Sequence, residues 1–257
     1  MCGITGYIGN KEAYPIIING LKRLEYRGYD SAGVMIYDGT EINLTKTKGK
    51  VAALETITNK NPKRREGKIG VGHTRWATHG VPNDVNSHPH FSQSGNLVIV
   101  HNGIIENYDT LKKELISRGY TFQSDTDTEV LINLIEEVKK QEKCKLGKAV
   151  QLALNHVTGA YAIAVFDKKK PNEIVVAKLG SPIAIGVGKN NEEFFIASDA
   201  SPFIEFTKNA VYLEDEEMAI IKLGRDIRVR KIKNDLRIKA SIQKLQLSLE
   251  QIEKGGY

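Results

Sequence analysis

The sequence contains only two cysteines, Cys2 and Cys144, in 257 residues. Two cysteines cannot build the disulfide framework of a small secreted domain, and the first residues lack the pattern of a secretory leader. No apolar run is long enough to cross a bilayer as a helix. These absences argue against a secreted or membrane-embedded protein. They predict a cytoplasmic protein with no membrane partner.

Aromatic residues are absent where the chain is most basic. Residues 221–245 contain nine Lys or Arg and two Asp or Glu, a net charge of +7 against +6 for the whole chain. Without aromatic side chains among these cations, a stacking platform for single-stranded nucleic acid is missing. We interpret the segment as a solvated outer strand and connector, and we expect no nucleic-acid partner. A nucleic-acid-binding patch is the alternative.

Metal-ligand patterns are also absent, although histidines are clustered. Five of the six histidines lie between His73 and His101, but this segment contains no cysteine and no His-Glu-x-x-His sequence. His88 and His90 could chelate an ion, which keeps a metal site as the alternative. The sequence predicts no metal and no cofactor.

The first nine residues read as a short buried strand that begins directly after Cys2. Ile4 and Ile8 are apolar, and three glycines allow close backbone approach. Removal of Met1 would leave one residue carrying both a thiol and a free α-amine. The amine could take the proton of the thiol, which is the arrangement of an N-terminal nucleophile. An idle cysteine at a frayed terminus is the alternative.

Hydrophobic periodicity predicts an α+β fold with two facing, mostly antiparallel sheets and helices on the outside. The last predicted helix is amphipathic and has no obvious partner, so we interpret residues 241–257 as a linker. The predicted helices cover residues 11–24, 51–57, 107–118, 126–138, 147–156 and 241–253. The predicted strands cover residues 1–9, 34–37, 42–47, 69–73, 97–101, 160–166, 174–177, 183–187, 194–197, 218–222 and 227–230.

A long polar loop, residues 74–96, separates two of these strands, and loops of this length are usually functional. Its Arg75 offers a guanidinium fork suited to a carboxylate. Thr78 and His79 can add hydrogen bonds, and Trp76 could seal the site from water. A surface salt bridge is the alternative role for Arg75.

Two further segments carry groups that suit amide chemistry. Asn102 and Gly103 follow the predicted strand that ends at His101, so a side-chain amide and a backbone N–H could form an oxyanion hole. Asp127 lies at a helix start and could pair with an ammonium group. The alternatives are a simple turn for the first pair and an interaction with the helix dipole for Asp127. Together with Arg75, these groups point to glutamine or asparagine as the substrate.

Six segments, in this order, resemble the glutaminase domain of class II, N-terminal-nucleophile glutamine amidotransferases. The residues in these segments are more similar to those of the glucosamine-6-phosphate synthase branch than to those of the purine, asparagine or glutamate synthase relatives. The resemblance covers residues 2–240. The segments are Met-Cys-Gly-Ile, Arg-Leu-Glu-Tyr-Arg-Gly-Tyr-Asp-Ser-Ala-Gly, His-Thr-Arg-Trp-Ala-Thr-His-Gly, Ser-His-Pro-His, His-Asn-Gly-Ile-Ile-Glu-Asn and Ser-Asp-Thr-Asp-Thr-Glu.

This resemblance implies an αββα sandwich that hydrolyses glutamine to glutamate and ammonia. Cys2 would be the nucleophile, forming a γ-glutamyl thioester with its own amine as base. Asn102 and Gly103 would form the oxyanion hole. Arg75 would bind the α-carboxylate of glutamine, and Asp127 would bind its α-ammonium group.

The resemblance also implies supporting roles. Thr78 and His79 would line the glutamine pocket, and Trp76 would belong to a loop that closes over glutamine and gates ammonia. Arg27 and Gly28 would support the terminal strand. The roles of Arg27 and Gly28 are expectations from the resemblance alone.

The longer members of this family continue into sugar-isomerase lobes that receive the ammonia. Residues 2–240 are therefore expected to be the glutaminase domain, and residues 241–257 the linker toward an absent isomerase domain. Fructose 6-phosphate would be the acceptor only through that domain, which yields glucosamine 6-phosphate. A different acceptor, or a non-catalytic module that uses the basic end and the tail, is the alternative. We expect a homodimer for the full-length enzyme and a monomer for the isolated domain.

Overall fold

The computed structural model describes residues 2–76 and 80–246. In these ranges the chain forms two β-sheets packed face to face, with five α-helices on their outer surfaces. The strands are β1 (Gly3–Ile8), β2 (Ser31–Tyr37), β3 (Ile42–Lys48), β4 (Ile69–Arg75), β5 (His90–Phe91), β6 (Leu97–Ile105), β7 (Gly159–Asp167), β8 (Glu173–Leu179), β9 (Ala184–Val187), β10 (Phe194–Ala197), β11 (Asn209–Tyr212), β12 (Glu217–Lys222), β13 (Arg228–Lys231), β14 (Arg237–Ile238) and β15 (Ile242–Lys244). The helices are α1 (Ala13–Arg23), α2 (Val51–Asn59), α3 (Tyr108–Ser117), α4 (Asp127–Gln141) and α5 (Leu146–Leu154).

The two sheets are built from antiparallel strand pairs. The first has the order β15-β11-β9-β10-β1-β4-β2-β3, and the second has the order β14-β13-β12-β8-β7-β6-β5. Strand β1 is therefore an interior strand, hydrogen-bonded to β10 on one side and to β4 on the other. All six of its residues are buried.

The helices and sheets form four layers, and apolar side chains fill the three spaces between them. The central layer lies between the sheets and includes Ile4, Ile8 and Phe166. A second layer joins the outer face of the second sheet to α3, α4 and α5, and a third joins the outer face of the first sheet to α1 and α2. Because each helix has one apolar face, burying it against a sheet removes that face from water. The predicted αββα sandwich is confirmed.

The structure corrects several predicted strands. Strand β6 continues to Ile105, so Asn102 and Gly103 lie inside a strand and do not follow its end. The short strands β5, β11 and β14 were not predicted, and β5 divides the predicted loop 74–96. A short 3-10 helix, Pro62–Arg65, lies between α2 and β4.

The helix predicted to begin at Ser241 is wrong at its start. Residues Ile242–Lys244 form β15, which pairs antiparallel with β11 at the edge of the first sheet. Leu245 then packs on the layer between that sheet and α1. Residues 247–253 of the predicted helix lie outside the described part of the chain. The boundary at residue 240 stays a prediction, although the sheet extends to Lys244.

None of the helices in the described ranges is long and apolar enough to cross a membrane.

Candidate active site

Cys2 lies immediately before β1 and is half-buried. Its Sγ accepts a hydrogen bond from the backbone N–H of Trp76 at 3.2 Å, and the thiol donates to the carbonyl oxygen of Trp76 at 3.5 Å. Burial raises the pKa of the Cys2 thiol, against the opposing effect of the Trp76 N–H. The thiol therefore needs a base to remove its proton at neutral pH.

The backbone that carries Cys2 is held from two sides. The N–H of Ile4 donates to the hydroxyl of Ser198 at 2.8 Å, directly after β10 ends. On the other side, Gly28 lies so close to the peptide between Arg75 and Trp76 that a Cβ there would stand 2.7 Å from the carbonyl carbon of Arg75. Glycine at position 28 thus allows this segment to pack closely against the end of β4. The next residue after that strand end is Trp76, whose N–H binds the Cys2 sulfur.

Asn102 reaches Cys2 from the second sheet. Its side-chain Nδ2 donates to the carbonyl oxygen of Cys2 at 3.0 Å and to the Ser198 hydroxyl at 3.0 Å. Both N–H bonds of the amide are therefore engaged within the protein. Gly103, the next residue, has φ +128°, and a Cβ there would meet the carbonyl oxygen of Ala160 at 2.0 Å. Only glycine fits this position without a backbone shift.

Arg75 is the last residue of β4 and is 3% exposed, so its side chain lies in the interior of the protein. Its guanidinium donates to the carbonyl oxygen of Gly80 at 3.2 Å. Burial lowers the pKa of Arg75, while the nearby charges of Asp30, Cys2 and Asp127 raise it. The side chain thus lies within electrostatic range of two other predicted site residues.

Asp127 is the first residue of α4 and is 4% exposed. Its Oδ2 accepts a hydrogen bond from the N–H of Ile105 at 2.8 Å, which ties the helix start to the end of β6. The preceding Thr126 caps the helix, because its hydroxyl accepts the N–H of Glu129 at 3.3 Å. The predicted position of Asp127 at a helix start is confirmed, and the cap and the Ile105 bond fix its carboxylate two residues from Gly103 along β6.

The residues predicted to close the pocket are only partly described. The indole of Trp76 is 49% exposed and lies edge-on to the ring of Tyr29, with ring centroids 5.5 Å apart. Thr78 and His79 lie outside the described residues. Their predicted contact with the substrate, and the sealing role of Trp76, stay predictions.

Arg27 forms an ion pair that was not foreseen. Its guanidinium lies 3.0 Å from Asp199, whose carboxylate also accepts the hydroxyl of Tyr26 at 2.8 Å. Asp199 directly follows Ser198, so Arg27 contacts the segment that holds both Ile4 and Asn102. Sequence analysis missed Ser198 and Asp199. The available signal was a polar Ser-Asp pair placed directly after a buried strand.

Four histidines meet beneath the candidate site, where the sequence showed only their proximity along the chain. His73 stacks on His88 with ring centroids 4.2 Å apart, and His88 meets His90 edge-on at 4.7 Å. The Thr128 hydroxyl lies 2.8 Å from His88 Nε2 and 2.9 Å from His101 Nδ1. Burial lowers the pKa of His73 to about 3, and holds the pKa values of His88 and His90 well below their usual range. These three rings are therefore neutral at pH 7.

The described ranges contain no group of three or more His, Cys, Asp or Glu side chains placed to hold a metal ion. The histidines instead bond to hydroxyl, amide and carbonyl groups.

Acidification is expected to unfold the protein progressively because of these neutral histidines. An unfolded histidine takes up a proton below about pH 6.5, whereas His73 in the folded protein does so only near pH 3. The unfolded state thus binds more protons between these limits, and stability present above about pH 6.5 is lost as the pH falls. Each such histidine contributes a slope of about 1.4 kcal/mol per pH unit.

Urea unfolding at a series of pH values measures this slope. His73→Gln should reduce this slope by the contribution of one histidine, and His156→Gln, at an exposed position, is the comparison. A free energy of unfolding that is flat between pH 6.5 and pH 4 in the wild type would contradict the lowered pKa values.

The surface has two cavities near this part of the fold. One, of about 500 Å³, has Lys46, His90 and Glu129 in its wall, and the other, of about 470 Å³, has Arg118 and Lys139. Among the predicted site residues that the structure describes, none lies in either wall. The chemistry predicted from the sequence therefore does not belong to either cavity.

Comparison with known proteins decides the family. Residues 54–248 match the family model described as a glutamine amidotransferase domain. The chain belongs to the glutamine amidotransferase family. A curated relative from Bacteroides thetaiotaomicron, named glutamine--fructose-6-phosphate aminotransferase [isomerizing], is 54% identical over all of this chain. This chain spans 41% of the length of that relative.

Solved structures support the same membership. The structure titled "Structure of the allosteric regulatory enzyme of purine biosynthesis" is 31% identical, with a TM-score of 0.76, over 91% of this chain and 50% of that chain. A glutamine phosphoribosylpyrophosphate amidotransferase from B. subtilis is 29% identical, with a TM-score of 0.73 and the same coverage. The amidotransferase fold expected from the sequence is therefore confirmed.

Proposed function

We propose that this domain hydrolyses glutamine to glutamate and ammonia through a thioester on Cys2. The proposal is supported by the groups that lie around Cys2 in a chain of the glutamine amidotransferase family. The Asn102 amide donates to the Cys2 carbonyl oxygen, and the buried Arg75 lies within electrostatic range of both Cys2 and Asp127. A nucleophile, an amide donor, a cation and an anion are the groups that hydrolysis of an amino-acid amide needs.

The first half of the reaction forms the thioester. With residue 1 removed, the free α-amine of Cys2 takes the proton of its own thiol, directly or through a water. The sulfur then attacks the side-chain carbonyl carbon of glutamine, and the carbonyl oxygen becomes an oxyanion. An N–H of Asn102 and the N–H of Gly103 stabilise this charge. Because both N–H bonds of Asn102 are engaged, one of them is exchanged for the oxyanion at this step.

The second half releases the products. The protonated amine of Cys2 donates its proton to the leaving nitrogen, the carbon–nitrogen bond breaks, and ammonia departs. Water then attacks the thioester carbonyl carbon while the same amine accepts the water proton. The carbon–sulfur bond breaks, the sulfur regains a proton, and glutamate leaves. No external oxidant or cofactor is required.

Substrate recognition uses the two buried charges. Arg75 would bind the α-carboxylate with its guanidinium, and Asp127 would bind the α-ammonium group. Because both groups are almost fully buried, their interactions with a bound amino acid are weakly screened by water. Thr78, His79 and Trp76 would complete the pocket and its closure.

Within a longer protein, the ammonia would be passed to a second domain. The curated relative named above carries fructose 6-phosphate in its name, and this chain spans 41% of its length. We therefore propose residues 2–240 as the glutaminase domain and the residues beyond 240 as the connection to a sugar-isomerase domain. The full protein would make glucosamine 6-phosphate, as a homodimer in the cytoplasm.

The test is glutamine hydrolysis by protein whose intact mass shows Cys2 as the first residue. We expect equal amounts of glutamate and ammonia, and much slower hydrolysis of 4-carbamoylbutyrate, which lacks the α-ammonium group expected to meet Asp127. A glutamine-analogue electrophile should add once, on the peptide that carries Cys2. If such protein is folded but releases no glutamate, the proposal fails.

A further inference from the structure

We propose that His73 is a positioning residue that holds the side-chain amide of Asn102 with its NH2 group turned toward Cys2. The proposal rests on the glutaminase function proposed above, because it assigns the amide of Asn102 to that reaction. His73 lies on β4 of the first sheet and Asn102 on β6 of the second, so their hydrogen bond joins the two sheets beneath the candidate nucleophile.

The surroundings of Asn102 determine which way its amide points. On one side, Nδ2 lies 3.0 Å from the carbonyl oxygen of Cys2, which can only accept a hydrogen bond. If the amide were reversed, two oxygen acceptors would face each other there. The amide oxygen must therefore point the other way, where His73 Nε2 lies 2.9 Å from it.

The same reasoning fixes the protonated nitrogen of His73. Its Nε2 lies 2.9 Å from the amide oxygen of Asn102 and 3.0 Å from the backbone carbonyl oxygen of His101. Both neighbours are acceptors, so Nε2 must carry the hydrogen. The other nitrogen, Nδ1, is buried and has no hydrogen-bond partner among the described residues. The ring is thus a neutral imidazole with a single donor, and that donor is directed at Asn102 and at the backbone beside it.

Packing prevents the ring from turning away. His73 is fully buried, and its ring stacks on that of His88. In the register of the first sheet, its Cα lies opposite Ile4 on β1 and Gly33 on β2. A Cβ at Gly33 would stand 2.0 Å from the carbonyl oxygen of His88, so the segment that carries His88 lies directly against β2. The imidazole is therefore held by two strands and a neighbouring ring.

Loss of this donor would release the amide of Asn102. A buried carbonyl oxygen left without a donor is unfavourable, so the amide of Asn102 would no longer be held in one orientation. A rotated amide would present its oxygen to the Cys2 carbonyl and to the developing oxyanion, and both contacts are repulsive. The histidine therefore affects the chemical step through Asn102 without touching the substrate.

The first test compares His73→Phe with His73→Gln in glutamine hydrolysis. Phenylalanine keeps a flat ring against His88 but has no donor, so we expect kcat to fall by about 10- to 100-fold, the usual cost of removing an orienting partner in a functional site. The KM for glutamine and the rate of Cys2 alkylation by iodoacetamide should change little. Glutamine places an amide N–H near the position of Nε2, so His73→Gln should recover much of kcat.

The matched control is Tyr120→Phe, which removes a buried hydrogen bond to Glu137 in the apolar layer outside the second sheet. It should lower the urea midpoint without changing kcat. If His73→Phe changes kcat no more than this control does, the positioning role is overturned. Equal losses in His73→Phe and His73→Gln would also overturn it.

A double-mutant cycle tests whether the effect passes through Asn102. In an Asn102→Ala background, His73→Phe should cause almost no further loss of kcat, because there is no amide left to orient. Independent, multiplicative losses would contradict the proposal. Nitrogen NMR of labelled wild-type protein gives a readout separate from activity, because His73 should show a protonated Nε2 and an unprotonated Nδ1. A protonated Nδ1 with a bare Nε2 would overturn the positioning role even in an active enzyme, whereas inactive protein with the expected tautomer would refute the glutaminase function, and with it the catalytic part of this proposal.

Discussion

Replacing Cys2 by serine is expected to lower kcat for glutamine hydrolysis by roughly 10⁴-fold or more, the scale seen when a hydrolase loses its nucleophile. A hydroxyl ionises far less readily than a thiol, and the α-amine of the same residue is too weak a base to remove its proton. Burial already raises the pKa of the native thiol, so a hydroxyl at the same place would be even harder to deprotonate. Glutamate release in a coupled assay measures the change.

The fold should survive this substitution, which separates chemistry from structure. A serine hydroxyl can keep the hydrogen bonds that link Cys2 to the backbone of Trp76. Cys144→Ser is the matched control, because Cys144 lies between α4 and α5 beside the outer apolar layer. It should retain wild-type activity. Substantial glutaminase activity in Cys2→Ser, or inactivation by Cys144→Ser at full stability, would refute Cys2 as the nucleophile.

Gly103→Ala is expected to destabilise the protein by roughly 2–5 kcal/mol, through backbone strain and overlap together. The φ of +128° is unfavourable for an L side chain, and the new Cβ would stand 2.0 Å from the carbonyl oxygen of Ala160. Relief requires β6 to move away from β7, which would displace the N–H of residue 103. Among molecules that remain folded, kcat should fall by about 10²- to 10³-fold, as for loss of one oxyanion donor.

Gly39→Ala separates the two causes. Gly39 has φ +104°, but a Cβ there would meet nothing within 4 Å, so only the strain remains, about 1–2 kcal/mol. Urea midpoints of the two variants, with their glutaminase activities, provide the comparison. If Gly103→Ala is no less stable than Gly39→Ala and fully active, the close approach of β6 to β7 does not matter for function.

Local sequence patterns were enough to predict the parts of the site that follow from chain neighbours. The strand after Cys2 is apolar and glycine-spaced, and it is the buried β1. The helix predicted over residues 126–138 begins at Asp127, and Thr126 caps it. Both features depend on residues within a few positions of one another, where periodicity and capping are informative.

Contacts between distant segments were not predictable in the same way. Ser198 joins β1 to Asn102 across gaps of 194 and 96 residues, and no local pattern indicates such a bond. The end of β6 was misplaced because Asn and Gly are poor strand formers, yet pairing with β7 extends the strand through both. At Ile242, a helical spacing of apolar residues was overridden because the segment pairs with β11 and becomes the edge strand of the first sheet.

The pairing of β4 with the interior strand β1 limits where residues can be inserted into this chain. Strand β4 runs beside β1 with Thr74 opposite Gly3, and it ends one residue later at Arg75. Because side chains alternate between the two faces of a strand, one residue inserted within β4 would turn the arginine to the opposite face. Insertions in the exposed segment 61–67, before β4 begins, leave that alternation intact. The loop before β4 can therefore vary in length. The number of residues from Ile69 to Arg75 cannot change by one without turning the Arg75 side chain to the other face of the sheet.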